Sequence, residues 1–372
     1  HGIGRRQRQM CIRDSINELK KNKGSTSLKF REKMSRLAFN ETSYYDAVIS
    51  NYFNKFNNIN FPKRKILYTN LIENLRYGEN PHQIGAFYSQ NIKNKLEQLH
   101  GKTLSYNNYS DIFAALTISK SLPKNTGTAI VKHGNPCGVS ALKNNLDSYK
   151  SALESDPISA FGGIISCNYK ITQKLALILN KIFLEVIVAD GFEKKALKIL
   201  KSKKNLRLID SSKITFNEIW KFNSVDNFTL IQSEDRKIFS KKDFRIVSKK
   251  KPNKSQLDNL MFAFNVCRYA KSNAIVLASN KSTVGIGSGQ PSRLDSCEIA
   301  IDKMNKFSKI KNDIVAASDA FFPFVDGVEK LVQSGVSAII QPAGSIRDKE
   351  IIKFANETNT VLIFSKTRHF RH

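Results

Sequence analysis

The feature that most constrains the fold is a short apolar run, residues 128–131, that ends abruptly in a cation, an imidazole and a turn. Such a run predicts a buried strand, and Lys132 and His133 follow at its end. Open α/β sheets bind ligands just beyond the carboxyl ends of their strands, and adjacent Lys and His side chains suit proton transfer near neutral pH. The alternative is that Lys132 is a solvated strand end and His133 a hydrogen-bonded edge residue, and the spacing alone does not separate the two. The next segment predicts a sharp change of direction because it is rich in turn residues, namely Gly134, Asn135, Pro136 and Gly138.

Apolar runs and helical patterns alternate over the rest of the chain, which predicts an α/β fold. Strands are predicted at 186–189, 273–278, 337–341 and 361–365, and further apolar segments lie at 84–88 and 314–317. Helices are predicted at 112–122, 146–154, 175–183, 194–200, 256–270, 294–307, 328–334 and 349–356. An Asp-led aromatic turn occurs twice, as SDPISAFGG from Ser155 and as SDAFFPFVDG from Ser318. This echo predicts two structurally related α/β units. The polar, poorly patterned residues 211–255 are predicted to connect them.

Composition excludes several classes of protein. No apolar run approaches the roughly 18 to 20 residues needed to span a bilayer, and no signal-peptide core is present. The five cysteines are scattered and form no Cys-x-x-Cys pair, so neither a disulfide framework nor a thiolate zinc site is indicated. A reducing, cytoplasmic location is therefore predicted.

The formal net charge of +28 fits three explanations. The first is nucleic-acid binding, the second is attraction of small polyanions such as nucleotides and folates, and the third is compositional drift. The basic residues are spread along the chain, and no nucleic-acid motif concentrates them. Drift together with small anionic substrates is therefore favoured.

The N-terminal region differs from the rest of the chain. The first fifteen residues are Arg-rich and lack a clear periodic apolar pattern, so residues 1–15 are interpreted as a non-native leader. Helical spacing of apolar residues predicts a helix over 27–53, with a second helix continuing from the first. The Asn/Lys-rich stretch 55–65 is predicted to be a linker.

The segment GIGSGQPSR, residues 285–293, is the best phosphate-loop candidate. Its glycines allow backbone amides to approach an anion closely, and a helix follows with its positive N-terminus. The spacing is neither a dinucleotide fingerprint nor a P-loop. A tight structural turn explains the segment at least as well.

A zinc deaminase site is also suggested, because Pro136-Cys137 lies near His133. That signature requires His-x-Glu followed by Pro-Cys-x-x-Cys. Asn135 and Ser140 occupy the positions of the required Glu and second Cys. Zinc-dependent hydrolysis is therefore rejected.

Several aromatic residues stand in turn-rich segments rather than inside helices. They predict either core packing beneath loops or a stacking surface for a flat heterocycle. These residues are Phe161, Phe321, Phe322 and Phe324.

Nine sequence motifs occur in this order along the chain: LRYGENPHQ, LSYNNYSD, VKHGNPCGVS, DPISAFGGIIS, KSNAIVL, GIGSGQPSRLDS, SDAFFPFVDG, QPAGSIRD and RHFRH. Together they resemble the family of bifunctional purine biosynthesis proteins, and chiefly its C-terminal AICAR transformylase part. The resemblance covers residues 66–372 and is highly specific because so many motifs occur in the same order. Residues 26–53 resemble the very end of the family's N-terminal IMP cyclohydrolase domain. Residues 221–239 depart from the family by lacking a glycine-rich stretch, which is interpreted as a loop variation.

The resemblance implies two cytidine-deaminase-like α/β/α units without zinc. It divides the chain into the leader 1–15, a remnant of the cyclohydrolase domain with its linker at 16–65, a first transformylase unit at 66–250 and a second at 251–372. It implies transfer of a formyl group from 10-formyltetrahydrofolate to the 5-amino group of AICAR, giving FAICAR, without IMP cyclohydrolase activity in this chain. A monovalent cation is allowed, and a cytoplasmic homodimer with shared active sites is implied, with no nucleic acid or membrane as partner.

The resemblance also implies residue roles. His133 is the general base, Lys132 is the acid or oxyanion-stabilising partner, and Asn273 hydrogen-bonds the formyl oxygen or the attacking amine. The remaining implied residues contact the nucleotide, its phosphate or the rings of the two substrates: Arg76, Tyr77, Asn108, Phe161, Arg293, Phe321, Phe324, Asp326 and Arg368. A basic nucleic-acid-binding protein, with a contiguous basic face and steeply salt-dependent affinity, and an inactive fragment are the alternative hypotheses.

Overall fold

The computed structural model describes residues 2–91, 96–216, 220–309 and 312–372. The chain forms two compact units. The first takes the chain up to Ile72 together with a short segment from Tyr88, and the second contains Glu73–Phe87 and the chain from Lys93 to His372.

The first unit contains two helices, α1 (Gly2–Lys21) and α2 (Leu28–Phe56). Ser27 caps α2 because its hydroxyl accepts a hydrogen bond from the Phe30 N–H at 3.3 Å, which satisfies one of the free donors of the first turn. The predicted helix over 27–53 is confirmed, as one continuous helix rather than two. Helix α1 covers most of the stretch that the sequence left without a pattern. Among the described residues of α2 only Ala47 is buried, so most aromatic residues of this helix face solvent.

The remaining elements are strands and helices. The strands are β1 (Asn70–Leu75), β2 (Gly85–Ser89), β3 (Glu97–His100), β4 (Gly127–Lys132), β5 (Asn135–Ala141), β6 (Ile164–Cys167), β7 (Val186–Ala189), β8 (Arg207–Asp210), β9 (Trp220–Val225), β10 (Phe228–Ser233), β11 (Phe244–Ile246), β12 (Ile275–Ser279), β13 (Ser282–Gly287), β14 (Ile314–Ser318), β15 (Val336–Pro342) and β16 (Val361–Ser365). The helices are α3 (Tyr106–Ser121), α4 (Asn145–Ser155), α5 (Pro157–Ala160), α6 (Gln173–Leu179), α7 (Lys194–Leu200), α8 (Lys254–Cys267), α9 (Arg293–Phe307), α10 (Asp326–Gln333) and α11 (Asp348–Glu357).

Within the described residues, twelve strands form one mixed sheet in the order β11-β16-β15-β14-β12-β13-β5-β4-β6-β7-β8-β3. The order reads the same in both directions from the centre: a hairpin, three parallel strands and an antiparallel edge strand on each side. The halves meet where Ser140 of β5 pairs with Ser282 of β13. The predicted α/β fold with two related units agrees with this arrangement.

Helices cover both faces of the sheet, and apolar residues fill the two spaces between the layers. One continuous core lies under α3 and α8, where Ile118 and Phe264 are fully buried. On the opposite face a second core lies under α4, α6 and α7, and a third under α9, α10 and α11. Strands buried on both faces read as continuous apolar runs, which is why β7 and β16 match their predicted limits.

Glycines allow two helices to pack directly on the central strands. A Cβ atom on Gly138 of β5 would lie 1.8 Å from the Ala152 carbonyl oxygen of α4. A Cβ on Gly287 of β13 would lie 1.9 Å from the Ser296 carbonyl oxygen of α9. The prediction of a turn extending to Gly138 is therefore wrong, because Asn135, Pro136 and Gly138 belong to β5 and the glycine serves helix packing.

Three further predictions need correction. Helix α3 begins at Tyr106 rather than at the predicted residue 112, because Ser105 and Asn108 form a capping box at its start. Residues 211–255 are not merely a connection, since they hold the β9–β10 hairpin and β11, which joins the main sheet beside β16. The two echo segments are not equivalent in the fold, because the first precedes β6 and the second follows β14.

Among the residues that the structure describes, no helix is both long and apolar enough to cross a membrane.

Candidate active site at one edge of the sheet

Strand direction brings the predicted site segments to one edge of the main sheet. Strand β4 is antiparallel to β5 and β6, and β5 is antiparallel to β13. Strand β12 is antiparallel to both β13 and β14, and β14 to β16 are parallel. The ends of β4, β13, β14 and β16 therefore lie at the same edge as the starts of β5, β6 and β12. This edge carries the Lys132–His133 turn, the segment before β12 and the C-terminal tail.

A two-residue turn presents His133 at this edge. Lys132 pairs with Asn135 across the β4–β5 hairpin, and His133 and Gly134 both have positive φ, 53° and 74°. Positive φ at both central residues is what a type I′ turn requires. Residues other than glycine seldom adopt this region, although histidine does so more often than most, and neighbouring segments hold His133 there. Its side chain is exposed.

Three hydrogen bonds fix this hairpin to neighbouring segments. The Asp111 carboxylate of α3 accepts from the backbone N–H groups of His133 and Gly134 at 3.1 and 2.6 Å. Lys132 Nζ donates to the Phe161 carbonyl oxygen at 2.9 Å. Burial raises the pKa of Asp111, and the two N–H donors oppose that shift. Asp111 is a site residue that the sequence reading missed, although its position three residues after Asn108 in the same helix was a usable signal.

Asn273 lies just before β12, and both the nitrogen and the oxygen of its side-chain amide are hydrogen-bonded. Its Nδ2 donates to the carbonyl oxygens of Gln290 and Pro291 at 3.0 and 2.8 Å. Its Oδ1 accepts from Arg293 Nη2 at 2.6 Å. The amide is therefore oriented by the loop that connects β13 to α9.

Arg293 is buried and bonded to protein groups. Its guanidinium forms an ion pair with Asp319, whose side chain is 0% exposed, and donates to Ser318 Oγ at 2.8 Å. A buried cation needs such partners, because charge is costly to remove from water. Arg293 thus connects Asn273 to the end of β14, and its contact with substrate stays a prediction.

A cavity of about 380 Å³ opens beside this network. It brings together five residues for which the family resemblance implies a role in catalysis or substrate binding. Asp326 begins helix α10, and the aromatic residues provide flat apolar walls of the kind that bind ring systems. The lining includes Asn273, Arg293, Phe321, Phe324, Asp326 and Phe370.

A second cavity of about 1,100 Å³ shares Phe370 with the first. It reaches Gly134 of the β4–β5 turn and contains Arg368 of the tail. The Arg368 guanidinium lies 4.8 Å from the centroid of the Phe370 ring. Cations dominate the charged side chains of its wall, which suits an anionic ligand: Lys120, Lys221, Arg236, Lys237, Arg268, Arg368 and Arg371, against Glu234 and Asp235.

Comparison with known proteins identifies the family of the chain. The model of the AICARFT/IMPCHase bienzyme family matches residues 11–303. The bifunctional purine biosynthesis protein PurH of Caldicellulosiruptor saccharolyticus is 42% identical over 367 residues, covering 96% of this chain and 70% of that protein. The PurH proteins of Leptospira biflexa and Aquifex aeolicus are 42% and 40% identical, with the same coverage of 96% and 70%.

This chain belongs to the AICARFT/IMPCHase bienzyme family. It is a formyltransferase enzyme of purine biosynthesis, and the family uses 10-formyltetrahydrofolate as cosubstrate. The resemblance drawn from the motifs is confirmed. The matched region begins at residue 11 and so overlaps the predicted leader.

Two residues implied by the bienzyme family lie at the same edge but have protein partners. Asn108 is buried within the capping box of α3, and its Nδ2 donates to Glu185 Oε2 at 2.9 Å. Arg76 is exposed, with its guanidinium 5.6 Å from the centroid of the Tyr77 ring. The nucleotide-binding roles of Arg76, Tyr77 and Asn108 stay predictions.

Phe161 is 58% exposed and lies outside the linings of the two cavities. Its ring contacts Phe183, with centroids 5.2 Å apart, and its carbonyl oxygen receives the Lys132 ammonium. Its backbone therefore already has a role beside the predicted acid, and the role of its ring stays a prediction.

The predicted phosphate loop begins inside a packed strand. Gly285 and Gly287 belong to β13, where α9 lies directly against them. Only the residues from Ser288 form a connection, and there Asn273 occupies the carbonyl oxygens of Gln290 and Pro291. Of the two explanations that the sequence left open, the structural one accounts for these glycines.

The four described cysteines are buried. Burial raises the pKa of Cys137, Cys167 and Cys297 to about 12, and it raises the pKa of Cys267 well above its ordinary value. Thiols in this state are poor nucleophiles and metal ligands. Across residues 12–91, 96–216, 220–309 and 312–372, no group of three or more His, Cys, Asp or Glu residues is arranged to hold a metal ion.

Proposed function

We propose that this chain transfers the formyl group of 10-formyltetrahydrofolate to the 5-amino group of AICAR, with His133 and Lys132 as the proton-transfer pair. The observation that carries the proposal is the placement of His133, Lys132 and Asn273 at one edge of the sheet, beside an aromatic cavity and a basic one. An aromatic cavity suits a pterin ring, and a basic one suits a phosphate monoester.

The reaction needs a base because the AICAR amine is conjugated with its ring and is a poor nucleophile. In our proposal the amine nitrogen attacks the formyl carbon and loses its proton to the His133 imidazole. The oxyanion that forms is stabilised by the Lys132 ammonium and by the Asn273 amide. The carbon–N10 bond then breaks, N10 takes up a proton, and tetrahydrofolate and FAICAR leave.

The side chains of the two cavities divide the substrates between them. Arg368 binds the phosphate of AICAR in the larger cavity, where the cations outnumber the carboxylates. Phe321 and Phe324 flank the rings in the smaller cavity, with Asp326 at its wall. Arg76, Tyr77, Asn108, Phe161 and Arg293 complete the set of substrate residues that the family implies.

Three further inferences accompany this function. Each half of the main sheet is a cytidine-deaminase-like unit that works without zinc, in line with the repeated strand order. The chain acts as a cytoplasmic homodimer, which would cover exposed apolar groups such as Phe161. We expect no IMP cyclohydrolase activity from these residues, because only residues 26–53 resemble that domain.

The test is a transformylase assay on the purified protein. AICAR and 10-formyltetrahydrofolate are mixed, and the appearance of tetrahydrofolate is followed for the parent, His133→Ala and Lys132→Ala. Loss of an acid or base typically costs about 10²-fold or more in rate, and we expect losses of that size in both variants. Lys124→Ala is the matched control, since this exposed lysine lies before β4 at the opposite edge. Unchanged turnover in His133→Ala would refute the acid–base assignment, and no turnover in a folded parent would refute the proposed reaction.

A further inference from the structure

The two halves of the sheet hold their central hairpins by the same device. In α3 the capping residue Ser105 is followed by Asn108, which closes a capping box, and then by Asp111. In α8 the capping residue Asn253 is followed by Gln256, which closes the same box, and then by Asn259. Asp111 and Asn259 therefore occupy the same helical position, and each points to the turn of its own hairpin.

The two turns are also equivalent. His133 and Gly134 connect β4 to β5, and Asn280 and Lys281 connect β12 to β13. All four residues have positive φ, between 46° and 74°. Asn259 Oδ1 accepts from the backbone N–H of Lys281 at 2.8 Å, just as Asp111 Oδ1 accepts from Gly134 at 2.6 Å. A bond to the second turn residue is thus common to both hairpins.

One bond distinguishes the half that carries His133. The second carboxylate oxygen, Asp111 Oδ2, accepts from the backbone N–H of His133 at 3.1 Å. An Asn side chain has a single acceptor oxygen, and Asn259 makes the one bond to its turn. The carboxylate therefore does more than hold a turn, because it also fixes the residue from which the imidazole projects.

We propose that Asp111 is a positioning residue for the formyl transfer, and this proposal rests on the proposed role of His133. The bidentate carboxylate fixes the backbone of His133 on both sides of its Cα atom and so aims the exposed imidazole at the amine. Charge-assisted bonds are about twice as strong as neutral ones, which suits a residue held in a rarely populated backbone region. Asp111 acts through the backbone and does not itself touch the substrates.

The first experiment measures kcat and KM for both substrates in Asp111→Ala and Asp111→Asn. A small displacement of a reacting group costs up to about 10²-fold in rate, so we expect kcat to fall about 10- to 100-fold in Asp111→Ala while both KM values stay within about 2-fold. Asp111→Asn keeps one acceptor, as Asn259 does, and should recover part of kcat. Asn259→Ala is the matched control, since it removes the equivalent bond at the opposite edge and should leave kcat unchanged.

The second experiment combines Asp111→Ala with His133→Ala. If Asp111 acts through His133, the double variant should be no slower than His133→Ala. If Asp111→Ala lowers kcat by the same factor in the parent and in His133→Ala, the proposal is overturned. A change in KM without a change in kcat would overturn it as well.

A third measurement separates this proposal from the proposed function. Amide hydrogen exchange of His133 and Gly134 requires no turnover. We expect both amides to exchange faster in Asp111→Ala than in the parent, and the His133 amide alone to do so in Asp111→Asn, which keeps an acceptor for Gly134. Unchanged exchange would overturn the positioning role even in an active enzyme. If the parent shows no turnover and the variants still exchange faster than the parent, the positioning of the turn is supported while the proposed function fails.

Discussion

Replacing Asp319 by asparagine removes one charge from the most deeply buried ion pair at the candidate site. The substitution keeps the shape of the side chain, but it leaves the buried Arg293 guanidinium without its counter-charge. Breaking such a pair from one side typically costs about 3–5 kcal/mol. Asp319 is 0% exposed and Arg293 is nearly as buried, so water cannot replace the lost partner, and we expect a value within this range.

The same change should reach the chemistry, because Arg293 also holds the Asn273 amide oxygen at 2.6 Å. A guanidinium without its carboxylate will reorient, and Asn273 will lose the partner that fixes its amide. We therefore expect kcat to fall as well, by about 10-fold or more if Asn273 serves as an oxyanion donor.

Urea unfolding followed by circular dichroism and by the fluorescence of the single tryptophan, Trp220, measures the first effect. Arg347→Gln is the matched control, because it breaks an exposed pair with Glu350, and exposed pairs contribute about 0–1 kcal/mol. The double variant Arg293→Met with Asp319→Leu should be more stable than Asp319→Asn alone, since it leaves no unpaired buried charge. An Asp319→Asn protein within about 1 kcal/mol of the parent would refute the reasoning, given the cost expected for an unpaired buried charge.

Three further predictions follow from packing and titration. Gly138→Ala should destabilise the protein by about 1–3 kcal/mol or more through overpacking, because its Cβ would lie 1.8 Å from the Ala152 carbonyl oxygen. Gly335→Asn, at φ 94° with nothing within 4 Å of the added Cβ, introduces backbone strain without overpacking and should cost less in the same unfolding assay, so equal effects would contradict the packing account. The Lys237 ammonium and the Ser240 donors lower the pKa of Asp243 from 3.8 to about 2, so the stabilisation from these bonds is present above the ordinary pKa and is lost as pH falls toward 2. Asp243→Asn should therefore be less stable than the parent at pH 7 and equal to it near pH 2, and a difference independent of pH would exclude this linkage. Disulfide reagents at pH 8 should leave four buried thiols unmodified until the protein is unfolded, namely those of Cys137, Cys167, Cys267 and Cys297. Rapid labelling of any of them in the folded protein would contradict their burial.

The sequence predicted best the elements whose burial follows a regular pattern. Residues 186–189, 194–200 and 361–365 were predicted with the limits that the structure gives, because continuous apolar runs and helical spacing report burial directly. Strands β5 and β13 were missed, because glycine and proline are typical of turns. In β5 and β13 the glycines instead allow α4 and α9 to approach the strands, a requirement set by residues distant in the chain.

By itself the sequence determined the family and the α/β class, and it marked the Lys132–His133 segment as a candidate site, since these depend on motifs and local patterns. Only the tertiary structure decided which groups surround that segment. Asp111 supports the His133 turn, and Arg293 pairs with Asp319 at the sheet edge. The reason is physical: strand order and direction decide which loops share an edge, and a buried charge or a left-handed residue persists only when distant side chains supply its partners.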